Sequence, residues 1–538
     1  MKKIVLLAVN SKYVHSALSV WLLKESLRRF SLYEYSCHVV ERTIQQSCDE
    51  IADNIAAYAP DIVGISAYIW NSAMIPDIIH RLRKKQRDII IILGGPEALI
   101  GEEYWQSQGV DYVLTGEGEL SFPSLVDWLS EHSAGQKQNK QTKDLELAEP
   151  VNPYTDQYFA VLSNKIAYIE TSRGCPYSCA FCLSGEDDVR FFSESTAKEW
   201  IFRLSKSNSR TIKFVDRTFN CSKERAYGLF EHIINLDTDR CFHFEVAADL
   251  FDEKTLNLLK RAAPGRIQFE SGVQSFFEPA LEAVSRKTDL EKVEENIKKL
   301  VAGKNIHIHI DLIAGLPYET YTDFQNSFNR AFALGAHTLQ LGFLKSLHGS
   351  ELRRLDESKD MLFSKEPPYE ILHSIWLNEQ DISALCCVEN ALRHTYNKCR
   401  FLNTIKYVLS VSEMTAFSLF YLIGTNVPNH GTQLEIYAAQ IYDVFSSLQE
   451  VNRDILCDNM ICDWLGMVKG KNMPEFMKKQ GLAHSRAAEI AKKTFNLEIK
   501  RSEFALLSTG KAVFVDSAAR DIITSLYKLH YLDFSSLV

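Results

Sequence analysis

Three cysteines lie close together in residues 168–185, which read YIETSRGCPYSCAFCLSG. Cys175, Cys179 and Cys182 follow the spacing C-x3-C-x2-C and come directly after a run of alternating apolar residues. Clustered thiolates of this kind can hold a metal. Four explanations compete for them, namely structural zinc, a disulfide, chance burial and an iron–sulfur cluster.

An iron–sulfur cluster suits these cysteines better than the alternatives do. Structural zinc takes four ligands, and no second cysteine pair with a nearby histidine follows at zinc-ribbon distance. A disulfide conflicts with the odd number of thiols and with a reducing compartment. Three cysteines within eight residues are improbable as chance core residues. With three thiolates, a cubane cluster would keep one iron open to an exchangeable ligand.

The cysteine spacing, with the aromatic Phe181 before the last cysteine, resembles that of the radical S-adenosylmethionine (SAM) superfamily. The resemblance implies a [4Fe–4S] cluster held by Cys175, Cys179 and Cys182, whose open iron chelates SAM, and it makes Phe181 a cofactor-binding candidate. In that family the reduced cluster cleaves SAM to a 5′-deoxyadenosyl radical. A flavodoxin- or ferredoxin-type electron donor is therefore expected as a partner.

Two further segments extend the resemblance. FVDRTFN (214–220) ends a strand where the family places polar groups near the SAM methionine, so Asp216 is the candidate there. FESGVQS (269–275) resembles the segment that faces the SAM ribose. Glu270 and Gln274 are the expected cofactor contacts in this segment.

A third segment, DLIAGLPYET (311–320), is close to the family pattern D-x-I-x-G-L-P-x-E-T. The resemblance makes Gly315 a candidate for close approach of the SAM adenine, because glycine has no side chain. Asp311 is a cofactor-binding candidate too, although a salt bridge within the barrel is an equally open interpretation of it.

Length, charge and apolar content narrow the class of protein that contains these motifs. A chain of 538 residues is too long for one core, and its formal net charge of −9 disfavours broad capture of nucleic acid or of an anionic membrane. No apolar run approaches the length of a membrane span, and the apolar start is interpreted as a first strand. We therefore expect a cytoplasmic protein with reduced cysteines, no nucleic-acid partner and no membrane association.

Residues 1–132 repeat an alternation of apolar strand and amphipathic helix five times. This pattern predicts an α/β domain with a parallel sheet covered on both faces, of the flavodoxin-like (Rossmann-type) kind. Such a sheet binds ligands beyond the carboxyl ends of its strands.

This first domain resembles the cobalamin-binding domain of cobalamin-dependent radical SAM proteins. The segments that carry the resemblance are LGGPEA (93–98) and VDYVLTGEGELSFPSLV (110–126). Glycines there let the backbone approach a large ligand. The candidate cobalamin contacts are Gly94, Gly95, Gly116, Glu117 and Gly118.

His15 follows the first strand, where a lower axial ligand of cobalt would sit in the motif D-x-H-x-x-G. Tyr13 stands at the Asp position of that motif and Leu18 at its last Gly position. Many relatives in this class hold cobalt without a protein ligand. His15 is thus a candidate ligand set against the ordinary interpretation of a loop histidine that hydrogen-bonds locally.

The rest of the chain divides by pattern into three parts. Residues 133–164 are polar at first and are interpreted as a linker, and residues 165–365 contain six further βα units, typical of a partial (β/α)6 TIM-type barrel with its chemistry at the strand carboxyl ends. Residues 366–538 are predicted to form an α-helical domain, and residues 388–401 resemble the helical domain of unassigned function in one group of these proteins.

Five further cysteines are interpreted as core or surface residues, namely Cys37, Cys48, Cys386, Cys387 and Cys399. Cys37 and Cys48 are the only cysteines before the triad, too few for the second cluster of methylthiotransferases. Cys386 and Cys387 are adjacent on a predicted helix and point about 100° apart, which is poor geometry for a metal shared with Cys399.

The resemblance implies an oxygen-sensitive enzyme that uses a [4Fe–4S] cluster, SAM and cobalamin to methylate an unreactive carbon. The substrate, a small molecule or a peptide, is not revealed by the sequence. One alternative keeps the cofactors but ends in a radical cyclisation, rearrangement or oxidation. Another is a cofactor sensor or scaffold with an inactive barrel.

Overall fold

The computed structural model describes residues 1–132, 150–185, 188–355, 360–427, 433–469, 471, 473–478 and 484–533. The chain divides into two compact units, which are described separately. The first comprises Met1–Arg261, Val284–Lys287 and Leu344–Leu372, and the second comprises Ala262–Ala283, Thr288–Phe343 and His373–Val538.

The first unit begins with a five-stranded parallel sheet of order β2-β1-β3-β4-β5. Its strands are β1 (Lys3–Asn10), β2 (Ser36–Thr43), β3 (Ile62–Ser66), β4 (Ile90–Gly94) and β5 (Tyr112–Val113). Its helices are α1 (Leu18–Phe30), α2 (Cys48–Ala56), α3 (Ile75–Lys85), α4 (Glu102–Ser107) and α5 (Gly118–Glu131). This is the flavodoxin-like order, so the fold class predicted for the first part of the chain is confirmed.

Burial explains why the central strands of this sheet are continuous apolar runs. Residues 4–9 of β1 and all of β3 are buried. A parallel strand covered by helices on both faces has no solvent side to carry polar residues. The polar residues of such strands are therefore confined to their ends, as Asn10 of β1 and Ser66 of β3 illustrate.

The second βα series begins in the first unit and continues in the second. In the first unit, β6 and β10 each pair in parallel with β9. These elements are α6 (Asp156–Ala160), β6 (Ala167–Ile169), β7 (Ser172–Arg173), β8 (Arg190–Phe191), α7 (Glu194–Ser205), β9 (Thr211–Phe214), α8 (Lys223–Ile234), β10 (Cys241–Glu245) and α9 (Glu253–Leu259).

In the second unit, β11 and β13 each pair in parallel with β12. The elements are β11 (Ile267–Gln274), α10 (Glu278–Ala283), α11 (Leu290–Ala302), β12 (Ile306–Ala314), α12 (Tyr321–Ala333) and β13 (Thr338–Phe343). Burial alternates along β11 and β12, so every second side chain lies on one common face. All six strands predicted for the barrel are present.

The predicted linker differs in part from the structure. Residues 133–149 lie outside the described residues, but residues 150–164 include α6 and bury two tyrosines. Tyr154 packs 5.1 Å from the ring of Trp200 and Tyr158 packs 5.6 Å from that of Trp21. The linker interpretation was based on the prolines and polar residues of this stretch, and it did not anticipate that these two tyrosines pack in the core.

The described residues between 379 and 495 form a series of helices, as predicted. After α13 (Glu351–Leu355), β14 (Met361–Phe363) and β15 (Ile371–Ser374), these helices are α14 (Glu379–His394), α15 (Leu402–Val411), α16 (Ala416–Asn426), α17 (Leu434–Ser446), α18 (Arg453–Met467) and α19 (His484–Phe495). In the described part of the chain, no single helix is long and apolar enough to cross a membrane, although the bent pair α15 and α16 passes by length and composition.

A three-stranded antiparallel sheet near the C-terminus was not predicted. Its strands are β16 (Phe504–Leu506), β17 (Lys511–Arg520) and β18 (Tyr527–Asp533), in the order β16-β17-β18. Ala512 and Phe514 of β17 share a small core with Ala487 of α19. Only the first half of β17 is an apolar run. A run that short fits a buried strand and a buried helical segment equally well, so the pattern did not predict a strand.

We expect Gly95→Ala to destabilise the first unit. Gly95 has φ +102°, and a Cβ there would lie 2.6 Å from the carbonyl oxygen of Ala67. The free energy of unfolding, measured in urea on the cofactor-free protein, should fall by more than about 1 kcal/mol. Gly116→Ala is the matched control, because Gly116 has φ +77° but no heavy atom within 4 Å of its added Cβ. Equal losses in the two variants would contradict a role for the clash.

Candidate functional site

A cavity of about 550 Å³ lies in the first unit, at the carboxyl ends of its parallel strands. Asn10, Ser66 and Gly94, at the ends of β1, β3 and β4, contribute to its wall. All six residues predicted to contact cobalamin line it: His15, Gly94, Gly95, Gly116, Glu117 and Gly118. The cavity therefore brings together residues from three loops, at the edge where sheets of this order bind ligands.

His15 is held at this cavity by a hydrogen bond to a tyrosine. Its Nδ1 lies 2.7 Å from the hydroxyl of Tyr168, which also lines the cavity. Burial lowers the pKa of His15, and Lys12 and Lys213 lower it further, so the ring is neutral near pH 7. This leaves Nε2 as the ring nitrogen outside that bond, and ligation of cobalt by His15 stays a prediction.

Glu117 is engaged by two arginines. Arg173 Nη1 lies 2.8 Å from its carboxylate, and Arg190 forms a second salt bridge to it. The sequence resemblance marked this residue as a direct cofactor contact. The structure adds that its charge is paired with the segment leading into the cysteine loop.

The three cysteines lie in a loop that begins after β7. Cys179 is buried, whereas Cys175, Cys182 and Phe181 are half-buried, and all three thiols are free. Backbone contacts fix the loop, since the Cys182 N–H donates to the Cys179 carbonyl at 2.9 Å. The Ser184 N–H donates to the Cys182 sulfur at 3.4 Å. Three free thiols on a pinned loop fit the donor set of an iron–sulfur cluster.

Arg286 is a functional candidate that the sequence analysis missed. Its Nη1 lies 3.8 Å from the Cys179 sulfur, and its guanidinium lies 5.5 Å from the ring centroid of Tyr177. Burial raises the pKa of the Cys179 thiol, and Arg286 opposes that shift. The arginine thus provides positive charge where the thiolates and any anionic ligand of the cluster would need it. In sequence it stands about a hundred residues away with no motif to mark it.

Asp216, predicted to lie near the SAM methionine, is buried and fully engaged. One carboxylate oxygen accepts from the Thr171 N–H at 2.9 Å, and the other accepts from the hydroxyls of Thr171 and Ser172 at 2.6 and 2.7 Å. These bonds fix the backbone just before the cysteine loop. A direct contact with SAM stays a prediction, while the observed contacts give Asp216 a positioning role.

In the second unit, the predicted residues Glu270 and Asp311 lie on one face with His309. Glu270 of β11 is the register partner of His309 on β12, and His309 Nε2 lies 3.0 Å from the Asp311 carboxylate. The three ligand atoms lie within 4.8 Å of one another. Such a group can hold hydroxyl or ammonium groups by hydrogen bonds. His309 was missed, although the alternation in IHIHID marks it as sharing a face with Asp311.

The strand ends carrying Gln274 and Gly315 are shaped by unusual backbone. Gln274 has φ +72° next to a register shift on β11, and Gly315 has φ +95° directly after β12. A glycine adopts this positive φ without strain, and its lack of a side chain leaves room for the predicted close approach of adenine. A bulge at Gln274 re-aims its side chain at the end of the strand. Contact of either residue with SAM stays a prediction.

Glu319 supports the turn after Gln274. It is fully buried, and one carboxylate oxygen accepts from the hydroxyls of Ser275 and Ser327 at 2.5 and 3.0 Å. The same hydroxyls accept backbone N–H groups at 2.9 and 3.1 Å. Burial raises the pKa of Glu319 to about 7, although the serine hydrogen bonds oppose the shift.

A flavodoxin-like domain with a cavity at its strand ends, followed by a three-thiol loop in a second βα series, defines an α/β protein with two cofactor sites. Family models identify both parts. Residues 4–126 match the B12 binding domain, residues 169–331 match the radical SAM superfamily, and residues 357–516 match a protein family of unknown function, DUF4080. The chain thus carries one segment that matches the B12 binding domain and one that matches the radical SAM superfamily, and the expected cofactors are a [4Fe–4S] cluster, SAM and cobalamin.

Two known proteins that match this chain are distant in sequence. The cobalamin-dependent radical SAM methyltransferase TokK of Streptomyces tokunonensis is 24% identical over 54% of this chain and 47% of its own length. The anaerobic magnesium-protoporphyrin IX monomethyl ester cyclase of Rubrivivax gelatinosus is 21% identical over 53% of this chain and 56% of its own. The match therefore spans about half of the length of each relative.

A solved structure shares the fold. The radical SAM methyltransferase TsrM from Kitasatospora setae, with cobalamin and a [4Fe–4S] cluster bound, superposes with a TM-score of 0.55 at 15% identity. The match covers 82% of this chain and 91% of that one. At this identity the likeness concerns the fold alone.

We expect Glu319 to make the stability of the second unit depend on pH. Its folded-state pKa of about 7 lies above the ordinary value of 4.5, so the folded state binds the proton more tightly. Its contribution is greatest below about pH 4.5 and is lost as the pH rises through about 7. Between about pH 5 and about pH 8 the loss is roughly 2 to 3 kcal/mol.

This dependence can be measured by unfolding the protein in urea at several pH values. Hydrogen exchange of peptides that cover β11 then reports the free energy of unfolding of this part of the second unit. Glu319→Gln keeps a hydrogen-bond acceptor for the serines but does not titrate, so its slope with pH should be flatter by that amount. An unchanged slope in Glu319→Gln would show that other groups cause it.

Proposed function

We propose that this protein is a cobalamin-dependent radical SAM enzyme that methylates an unreactive carbon of its substrate. The observation that carries the proposal is the joint wall of the 550 Å³ cavity. Gly94 and Gly116 of the B12-binding domain line it together with Tyr168 and Arg173, and Arg173 stands two residues before Cys175. When bound, the cofactors supply a 5′-deoxyadenosyl radical from SAM and a methyl group carried by cobalamin.

The side chains of the first unit hold and shield these cofactors. Cys175, Cys179 and Cys182 would ligate the cluster, and Arg286 would balance negative charge beside it. Asp216 would keep the start of the loop in place through its buried hydrogen bonds. The protein's part is positioning, since the cofactors carry the difficult chemistry.

The glycine-lined cavity suits a large, flat ligand such as cobalamin. Side chains are missing at Gly94, Gly95 and Gly116, so the backbone itself forms the wall there. Tyr68 and Trp70 stack at 4.4 Å on the same cavity and provide an apolar rim. Its volume lies within the range of ordinary cofactor pockets.

The second unit would bind SAM and orient the substrate. Glu270, Gln274 and Asp311 are the proposed hydrogen-bond partners of SAM, and Gly315 would leave room for the adenine. We propose a flavodoxin- or ferredoxin-type protein as the electron donor and a small molecule or peptide as the substrate. The name of TokK, a cobalamin-dependent radical SAM methyltransferase, supports methyl transfer.

A radical reaction that ends without methyl transfer is the second candidate, because the cyclase of Rubrivivax gelatinosus matches this chain over a similar span. The two candidates give different by-products. Methyl transfer yields S-adenosylhomocysteine alongside 5′-deoxyadenosine, whereas a cyclisation or oxidation yields 5′-deoxyadenosine without S-adenosylhomocysteine.

The test is anaerobic purification and cluster reconstitution, followed by SAM, hydroxocobalamin and a strong reductant, with nucleoside products measured by mass spectrometry. We expect both 5′-deoxyadenosine and S-adenosylhomocysteine, and Cys179→Ala should abolish the first because it removes a cluster ligand. Neither product from protein with a full cluster and bound cobalamin, across a panel of substrates, would favour a sensor or scaffold over an enzyme.

Cys221→Ala is the matched control for the cluster. Cys221 is a half-buried free cysteine whose thiol pKa is raised by burial and, to a smaller extent, by the charge of Cys175. If three thiolates hold the cluster, Cys221→Ala keeps its iron content while Cys182→Ala loses it. Loss of iron in Cys221→Ala would mean that a fourth cysteine closes the cluster, which contradicts an open iron for SAM.

A further inference from the structure

One guanidinium joins the cobalamin loop to the cysteine loop. The cobalamin loop is defined as residues 116–119, which lead into α5 and include its first two residues, and the cysteine loop is residues 174–185. Arg173 forms salt bridges with Glu117 at 2.8 Å, with Glu119, and with Glu170 at 2.8 Å. Glu117 and Glu119 both belong to the cobalamin loop, so Arg173 links that loop to the start of the cysteine loop.

These ion pairs are sheltered from water. The side chains of Arg173 and Glu170 are 17% and 18% exposed, that of Glu119 is only 7% exposed, and that of Glu117 is 29% exposed. Removing one partner of a sheltered pair leaves an uncompensated buried charge. Loss of Arg173 or of one of these carboxylates would therefore disturb the contacts between the two loops.

The chemistry of arginine makes this link rigid. A planar guanidinium presents several N–H groups in a fixed fork, so carboxylates on two sides set its plane. Arg190 forms a further salt bridge with Glu117. Two guanidinium groups thus face the three carboxylates of Glu117, Glu119 and Glu170, and four of these five residues line the cavity (Arg190 is the fifth).

We propose that Arg173 is a positioning residue that couples cluster binding to cobalamin binding. Ligation of the cluster would fix the cysteine loop and hence Arg173, whose guanidinium then holds Glu117 and Glu119 in the conformation that lines the cavity. The coupling is reciprocal, since each cofactor favours the loop conformation that the other requires. This inference rests on the proposed binding of both cofactors and adds the means by which one site senses the other.

The measurement is the dissociation constant of hydroxocobalamin for the full-length protein, with and without the reconstituted cluster, by anaerobic equilibrium dialysis. We expect binding to the cluster-loaded protein to be tighter by about fivefold or more, the usual lower range of such coupling. Glu119→Gln removes one charge from the link and should bring the ratio of the two constants towards one. Arg173→Lys, which cannot bridge the carboxylates in the same way, should do the same.

Glu25→Gln is the matched control. Glu25 has an equally sheltered side chain, 7% exposed, in a salt bridge with the exposed Arg28 on α1, and it does not line the cavity. Its substitution also removes a sheltered, paired carboxylate charge, so a general effect of that loss would change the ratio of the two constants here too. We expect the ratio to stay at the wild-type value in Glu25→Gln. If Glu119→Gln does not fold, Arg173→Lys and thermal unfolding of both variants still decide the question.

The outcomes separate this inference from the proposed function. A wild-type protein that binds both cofactors with a ratio of one would overturn the coupling and leave the proposed function intact. An unchanged ratio in both Glu119→Gln and Arg173→Lys would also overturn it. A protein that binds neither cofactor would overturn both.

Discussion

Burial of parallel strands on both faces is the constraint on which the rest of this structure depends. A strand covered by helices cannot carry polar side chains along its length, so its polar residues are confined to its ends. Because the carboxyl ends of parallel strands meet at one edge, these few residues converge there without any special arrangement of the loops. Asn10 and Ser66 do so at the cavity of the first unit. Both proposed cofactor sites follow from this constraint.

Buried carboxylates bound by hydroxyl groups recur as the devices that fix loops in this chain. Asp216 accepts hydrogen bonds from Thr171 and Ser172 before the cysteine loop. Glu319 accepts from two serines behind the turn after β11, and Asp463 of α18 accepts the N–H and hydroxyl of Thr404 at the start of α15. In each case a buried carboxyl group accepts hydrogen bonds from local donors that would otherwise be unpaired, which is how a buried polar group can stabilise a fold.

The sequence predicted the features that rest on short-range patterns. The five-stranded sheet, its order and the six strands that follow were predictable because apolar runs alternate with amphipathic helices at short intervals. The cysteine triad was evident from spacing alone. By contrast, the hydrogen bonds that pin its loop, such as Ala180 to Val284, join residues about a hundred positions apart. Sequence periodicity carries no information about such contacts.

Residues that act through partners were either missed or only partly described by their motifs. Arg286 has no motif, and its proximity to Cys179 is a result of tertiary folding. The motif identified Glu117 as a residue of the cobalamin-binding segment, but it contained no information about the arginines that form salt bridges with it. The structure places it between two arginines, one of which precedes the cysteine loop by a single residue. Because both arginines balance the charge of this carboxylate before any cofactor binds, its side chain is held in one position. Glu117 therefore suits a role as a fixed part of the cavity wall better than a role as a mobile ligand of the cofactor.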